Sequence, residues 1–180
     1  MVYVVLADGF EEIEAIEPID ILRRGGVCVK TVSITDKKEV VGAHGITVTA
    51  DITISEVDTE TMEMLMLPGG AGHTLLDASN AVHALINYAL VNGKYLAAIC
   101  ASPSILGKKQ ILMGKKATCY PGFEKYCYGA DMLTDKAVKD GLIITGKGPG
   151  AAAEFGFMLL STLKGESVAD SLREDMQYND

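Results

Sequence analysis

Tyr95-Leu96-Ala97-Ala98-Ile99-Cys100-Ala101-Ser102-Pro103 is the stretch that decides the fold. Its first five residues are apolar without alternation, as in a strand buried on both faces of a parallel sheet. Ser102-Pro103 then opens a helix, because proline loses nothing in a first helical turn. A strand that passes at once into a helix makes a sharp corner, and Cys100 stands in it. The arrangement resembles a nucleophile elbow. In a doubly wound sheet, ligands bind beyond the carboxyl ends of the strands, which is where Cys100 falls.

The flanking sequence repeats the alternation. Residues 2–7 (VYVVLA) read as a buried strand, residues 11–24 as a helix, and residues 27–34 as the next strand, one right-handed βαβ unit. Pro18 inside the helix predicts a kink. Residues 39–41 and 46–49 flank Gly42-Ala43-His44-Gly45 as a hairpin. Residues 62–67 form a buried strand running into Pro68-Gly69-Gly70-Ala71-Gly72, and residues 81–91 carry a helical apolar stripe. A strand is expected at 117–120, a second hairpin from 136–138 and 142–145, and helices at 150–163 and 167–176. The whole is an α/β chain, a doubly wound, mostly parallel sheet with helices on both faces, expected to be one domain over residues 1–180.

Composition excludes several classes. The net charge of −8 lacks the basic face a nucleic-acid binder needs. Apolar content is high, with no low-complexity tract and no solenoid repeat. Residues 2–7 are too short for a signal peptide and have no basic segment before them; no apolar run is long enough for a bilayer. No nucleic-acid or membrane partner is expected, and a cytoplasmic location is the default. Cys28, Cys100, Cys119 and Cys127 lack metal-site spacing and read as independent thiols, so no metal is expected. The dinucleotide fingerprint is absent and Gly146-Lys147-Gly148-Pro149-Gly150 lacks the ending of a phosphate loop, so no cofactor is expected.

Three places fall at the carboxyl ends of strands: residues 8–14, 68–73 and 100–103. A helix N-terminus beneath Cys100 favours thiolate and lowers the thiol pKa. Against this stands the reading of Cys100 as a small buried hydrophobe. The backbone N–H groups of the Pro68-Gly69-Gly70 loop and of Ala101 can face an oxyanion. Among Glu11, Glu12 and Glu14, two serve the helix N-terminus and one can exchange a proton at the site, protonated if it lies against a thiolate. His44 and His83 read as surface residues; His73 is a possible accessory group.

Asp8-Gly9-Phe10-Glu11-Glu12-Ile13-Glu14, Leu67-Pro68-Gly69-Gly70, Ala97-Ala98-Ile99-Cys100-Ala101-Ser102-Pro103 and Gly148-Pro149-Gly150 together resemble the ThiJ/PfpI superfamily, closest to the branch of the parkinsonism-associated protein deglycase. The resemblance covers essentially the whole chain. It implies a flavodoxin-like, class I glutamine amidotransferase-like fold and a homodimer. It further implies Cys100 as nucleophile, Glu14 as the protonated glutamate bonded to the thiolate, and Gly70 and Ala101 as backbone donors. Where many relatives carry a histidine, Tyr120 takes the position as a possible accessory residue, a poorer base near neutrality. Peptidase-like relatives have histidine directly after the nucleophile; Ala101 stands there, which argues against peptidase activity. The distal His-Glu pair of amidotransferase-like relatives is absent, and no thiazole-specific site supports a role in thiamine metabolism.

Two functions follow from the resemblance. One is a glutathione-independent glyoxalase or deglycase, in which Cys100 attacks a small carbonyl substrate, a 2-oxoaldehyde or its protein adduct. The other is an oxidative-stress sensor or chaperone-like protective protein acting through Cys100 sulfinate.

Overall fold

The structure is a computed structural model that describes residues 1–178. Strand β1 (Val2–Leu6) is buried along its whole length. Its side chains alternate between two apolar layers: Val2, Val4 and Leu6 in one, Tyr3 and Val5 in the other. Helix α1 (Glu12–Arg24) starts where the Glu11 side chain accepts the N–H of Glu14 and ends with Arg23 and Arg24 near its carboxyl terminus. Strands β2 (Val29–Ser33), β3 (Glu39–Val41), β4 (Thr47–Thr49) and β5 (Ile52–Thr53) follow. β3 and β4 pair antiparallel as the expected hairpin, a sheet of their own.

The chain continues through β6 (Met64–Leu67), α2 (His73–Ala78), α3 (Asn80–Val91), β7 (Tyr95–Ile99) and α4 (Pro103–Lys108). The remainder is β8 (Lys116–Ala117), β9 (Asp131–Met132), β10 (Ala137–Asp140), β11 (Ile143–Gly146), α5 (Ala152–Lys164) and α6 (Glu166–Asp175). The main sheet has the order β10-β11-β7-β6-β1-β2-β5, and only β10 runs antiparallel to its neighbour. After β1 the chain builds β2 on one side, then crosses to build β6 and β7 on the other. The carboxyl ends of β1, β6 and β7 therefore open onto one crevice at the switch point. α1 and α5 cover one face, and α3 and α4 the other.

Pro18 is a buried residue inside α1, which runs without a break from Glu12 to Arg24. Its backbone packs close to Gly156 of α5. One expectation is corrected. The strand expected at 117–120 ends at Ala117, because the Tyr120 N–H turns to the Cys100 carbonyl (2.9 Å) rather than to a ladder. The second hairpin is present as expected, β10 with β11, and it extends the main sheet, with β11 parallel to β7. Among the described residues, no helix is long and apolar enough to cross a membrane.

Candidate active site

Cys100 has a φ of 65°, a left-handed conformation that non-glycine residues seldom hold. The corner is fixed on both sides. The Cys100 N–H donates to Gly146 of β11 (2.9 Å), and its carbonyl accepts from Tyr120 (2.9 Å). The Ser102 hydroxyl, fully buried, donates to the Pro68 carbonyl at 2.6 Å and ties the elbow to the neighbouring loop. This is the elbow the sequence suggested, with 8% of Cys100 exposed.

The loop after β6 reaches the sulfur through its glycines. The backbone N–H groups of Gly70 and Ala101 act on the Cys100 thiol in the direction that favours its thiolate. Gly70 has a φ of 83°, and a Cβ there would meet the Glu11 nitrogen at 2.4 Å and the Gly9 oxygen at 2.5 Å. Only glycine lets this N–H face the cysteine. Gly69 lies between acid and thiol: a Cβ there would fall 2.5 Å from Glu14 Oε2 and 2.6 Å from Cys100 Cβ.

Glu14 comes from the first turn of α1 and is completely buried. Its Oε2 accepts the Gly69 N–H at 3.0 Å, the carboxyl faces Cys100 across Gly69, and Oε1 has no hydrogen-bond partner. The other two acids do helix work. Glu11 caps α1, while Glu12 accepts from the His44 backbone (2.7 Å) and lies 2.8 Å from its ring Nδ1. Glu11, Glu12 and His44 bring ligand-type atoms within 4.8 Å of one another, but each carboxylate already has these partners.

Burial pushes the Glu14 carboxyl up to about 7, with the Cys100 contact and the Gly69 N–H opposing. Burial, followed by the charge of Glu14, pushes the Cys100 thiol up to about 12, with the Gly70 and Ala101 N–H groups opposing. The sequence suggested a lowered thiol. The reversal arises because the thiol is enclosed and faces an acid. The like charge disappears when Glu14 holds its proton, and that carboxyl can then donate to the sulfur. A thiolate near neutrality therefore requires a neutral Glu14, so acid and thiol titrate as one pair.

The two accessory residues sit differently. The Tyr120 ring packs on Gly148, whose added Cβ would lie 3.0 Å from the ring and 4.0 Å from Glu14 Oε1. Tyr120 also lines a cleft of about 300 Å³ with Pro121, Lys136, Lys147 and the turn before α5. His73 hydrogen-bonds the Gly70 carbonyl through Nδ1 (2.8 Å) and stands edge-on to Phe123, so it braces the glycine loop. His44 is exposed as expected, whereas His83 is half-buried with its Nε2 on the Asp77 carbonyl. The roles of Gly69, Gly148 and Ser102 were not foreseen; the paired glycines and the serine after the elbow were the only signals.

An α/β sheet with a cysteine elbow at its switch point and a buried acid beside the thiol places the chain in the doubly wound class. The chain belongs to the DJ-1/PfpI family, whose model matches residues 1–162. It is 37% identical over 172 residues to an Arabidopsis thaliana protein named DJ-1 homolog B, covering 93% of this chain but 39% of that protein. The chain thus spans less than half of that relative. It is 32% identical to a glutathione-independent glyoxalase of Caenorhabditis elegans, covering 90% of this chain and 87% of the relative. It is 30% identical to a deglycase of Thermococcus kodakarensis, covering 83% and 90%. A DJ-1 superfamily protein from Salmonella typhimurium, solved as a cysteine-to-alanine mutant, superimposes with a TM-score of 0.94 at 33% identity over 99% of this chain and 98% of that one. Oxidised Toxoplasma gondii DJ-1 gives 0.94 at 34% identity over the same shares.

Proposed function

We propose that this chain is a cysteine-dependent enzyme of the glyoxalase and deglycase kind, acting without metal or organic cofactor on small 2-oxoaldehydes or their protein adducts. The observation that carries the reading is the fully buried Glu14 carboxyl facing Cys100 across Gly69. The names of the nematode and archaeal relatives agree with it.

With methylglyoxal, the Cys100 sulfur bonds to the aldehyde carbon, and the carbonyl oxygen takes a proton to give a hemithioacetal. Gly70 and Ala101 face the oxygen while it carries negative charge. Glu14 removes the proton from the former aldehyde carbon and returns it to the neighbouring carbon, while the hydroxyl proton passes to the neighbouring oxygen, leaving a thioester of the 2-hydroxy acid. Water breaks the C–S bond, releases lactate and restores the thiol. The test is lactate formation from methylglyoxal without glutathione by wild type and Cys100→Ser. Full activity in the variant overturns the mechanism.

The alternative function, a redox sensor acting through Cys100 sulfinate, is favoured by the unpartnered Glu14 Oε1, which could hydrogen-bond an added oxygen. Mild peroxide followed by mass analysis tests it: oxidation of Cys28, Cys119 and Cys127 as readily as Cys100 overturns it. We further propose a cytoplasmic homodimer of single-domain chains. Support for the dimer is an apolar patch where Ile13 and Ile16 of α1 meet Ile46 of the β3–β4 turn, 51%, 40% and 58% exposed.

A further inference from the structure

Lys136 and Lys147 stand directly opposite each other. The antiparallel register of β10 and β11 pairs Ala137 with Gly146, and one step further the Lys147 N–H donates to the Lys136 carbonyl (2.9 Å). Opposite residues of such a pair send their side chains to the same face, where like charges repel. Among the described residues no carboxylate forms an ion pair with either lysine, and Lys147 Nζ donates to the Thr134 carbonyl (3.1 Å). Lys108 and Lys115, by contrast, are paired with Asp77 and Asp140. The repulsion belongs to a wider segregation of charge. Of 16 cationic and 24 acidic side chains in the whole sequence, residues 94–147 hold nine lysines and only four acids.

Both lysines line the cleft of about 300 Å³ beside Tyr120, and Tyr120, Pro121 and Pro149 give it apolar walls. The turn Pro149–Ala151 leads into α5, whose thirteen residues begin without a side-chain cap, so the positive end of a helix adds to the two lysines. Glu154 in the first turn of α5 is already engaged by Arg173 (3.3 Å) and Tyr178 (3.1 Å). The cleft adjoins the reacting pair at two points. The Tyr120 N–H holds the Cys100 carbonyl, and a Cβ on Gly148 would lie 4.0 Å from Glu14 Oε1, a buried oxygen without a partner.

We propose that this cleft takes the anionic end of the substrate, so that the preferred substrate is a 2-oxoaldehyde on a short chain that ends in a carboxylate. The reacting end rests on the carbonyl chemistry proposed above; the carboxylate site does not. The methylenes of the chain lie against Tyr120, Pro121 and Pro149, and the carboxylate meets Lys136, Lys147 and the start of α5. A carboxylate fits better than a phosphate, because Pro149 removes an N–H from the turn where a phosphate loop would present one. The steps are those written for methylglyoxal, and the product is a 2-hydroxy diacid.

The test compares kcat/KM for methylglyoxal and for 4,5-dioxopentanoate, the same oxoaldehyde with a carboxymethyl group added to its methyl carbon. Wild type should favour 4,5-dioxopentanoate on the order of 10-fold, and added salt should erode the preference. Lys136→Gln combined with Lys147→Gln should abolish the preference, whereas the pair of Arg substitutions should keep it. Equal kcat/KM for the two substrates in wild type, or a preference that survives the Gln pair, would overturn the inference. A second arm needs neither turnover nor substitution: amide NMR of wild type titrated with butanoate or with butyramide. Butanoate should shift the Gly148, Gly150 and Ala151 amides to saturation, and butyramide should not. Absent or equal shifts overturn the carboxylate site whatever the activity. Saturating butanoate shifts in a protein that makes no lactate from methylglyoxal would sink the glyoxalase reading and leave the carboxylate site standing.

Discussion

At the residue scale, the chemistry depends on where one proton resides. Glu14 has an ordinary pKa of 4.5 and a folded value of about 7, so the folded chain holds this proton more tightly than the unfolded chain does. Its stabilising contribution is complete below about pH 4.5 and is lost as pH rises through about 7. Wild type should lose on the order of 3 kcal/mol over that window through this group. Glu14→Gln should lose much less and should melt higher than wild type at pH 8, although its kcat for methylglyoxal should fall about 100-fold or more. Thermal melts at pH 5 and pH 8 check the sign: a variant with the same pH slope as wild type would show that burial does not raise this acid. Gly69→Ala probes the same contact sterically. A methyl group 2.5 Å from Glu14 Oε2 must separate acid from thiol. A destabilisation of about 1–3 kcal/mol is expected, with loss of Cys100 reactivity toward iodoacetamide relative to wild type. Cys100 and Glu14 were legible because an elbow and a helix start have local signatures. Gly69 was not, because what its missing side chain makes room for comes from two other segments.

At the element scale, α1 and α5 pack closely along one face of the sheet, and Gly156 of α5 is one place where their backbones approach. A Cβ on Gly156 would meet Ile21 Cδ1 at 2.8 Å and Pro18 Cα at 3.1 Å. Gly156→Ala sets two effects against each other. Helix propensity favours alanine by up to about 1 kcal/mol, whereas overpacking costs about 1–3 kcal/mol. The Ile21 methyl can rotate away, but the Pro18 backbone cannot, so urea denaturation should show net destabilisation. A more stable variant would mean that the helices do not need this approach. Long apolar strands such as β1 and β7 declare themselves. The two-residue strands β5, β8 and β9 do not, because their pairing depends on partners and not on their own composition.

At the scale of the whole molecule, the order of strands carries the site. The alternation of strands and helices was readable, and with it the doubly wound class; the place of each strand in the sheet was not. That place sets which loops meet, and so the contact of Glu14, from the start of α1, with a cysteine that follows β7. The last surface to account for is the one α1 presents outward. Ile13 and Ile16 flank Glu14 on this helix, and Ile46 lies beside them while Glu12 and His44 tie α1 to the hairpin. A net charge of −8 keeps copies apart in general, so a contiguous apolar patch is where two copies should meet. Two-fold pairing places the same patch on both partners, so one substitution counts twice. Ile13→Glu combined with Ile16→Glu should convert a dimer into a monomer in sedimentation equilibrium. It should also lower kcat for methylglyoxal, because α1 loses its support next to Glu14. Wild type sedimenting as a monomer, or the double variant remaining dimeric, would remove this face as the dimer contact. A monomeric variant with undiminished kcat would separate assembly from catalysis, leaving the elbow, the buried acid and the glycine loop complete within one chain.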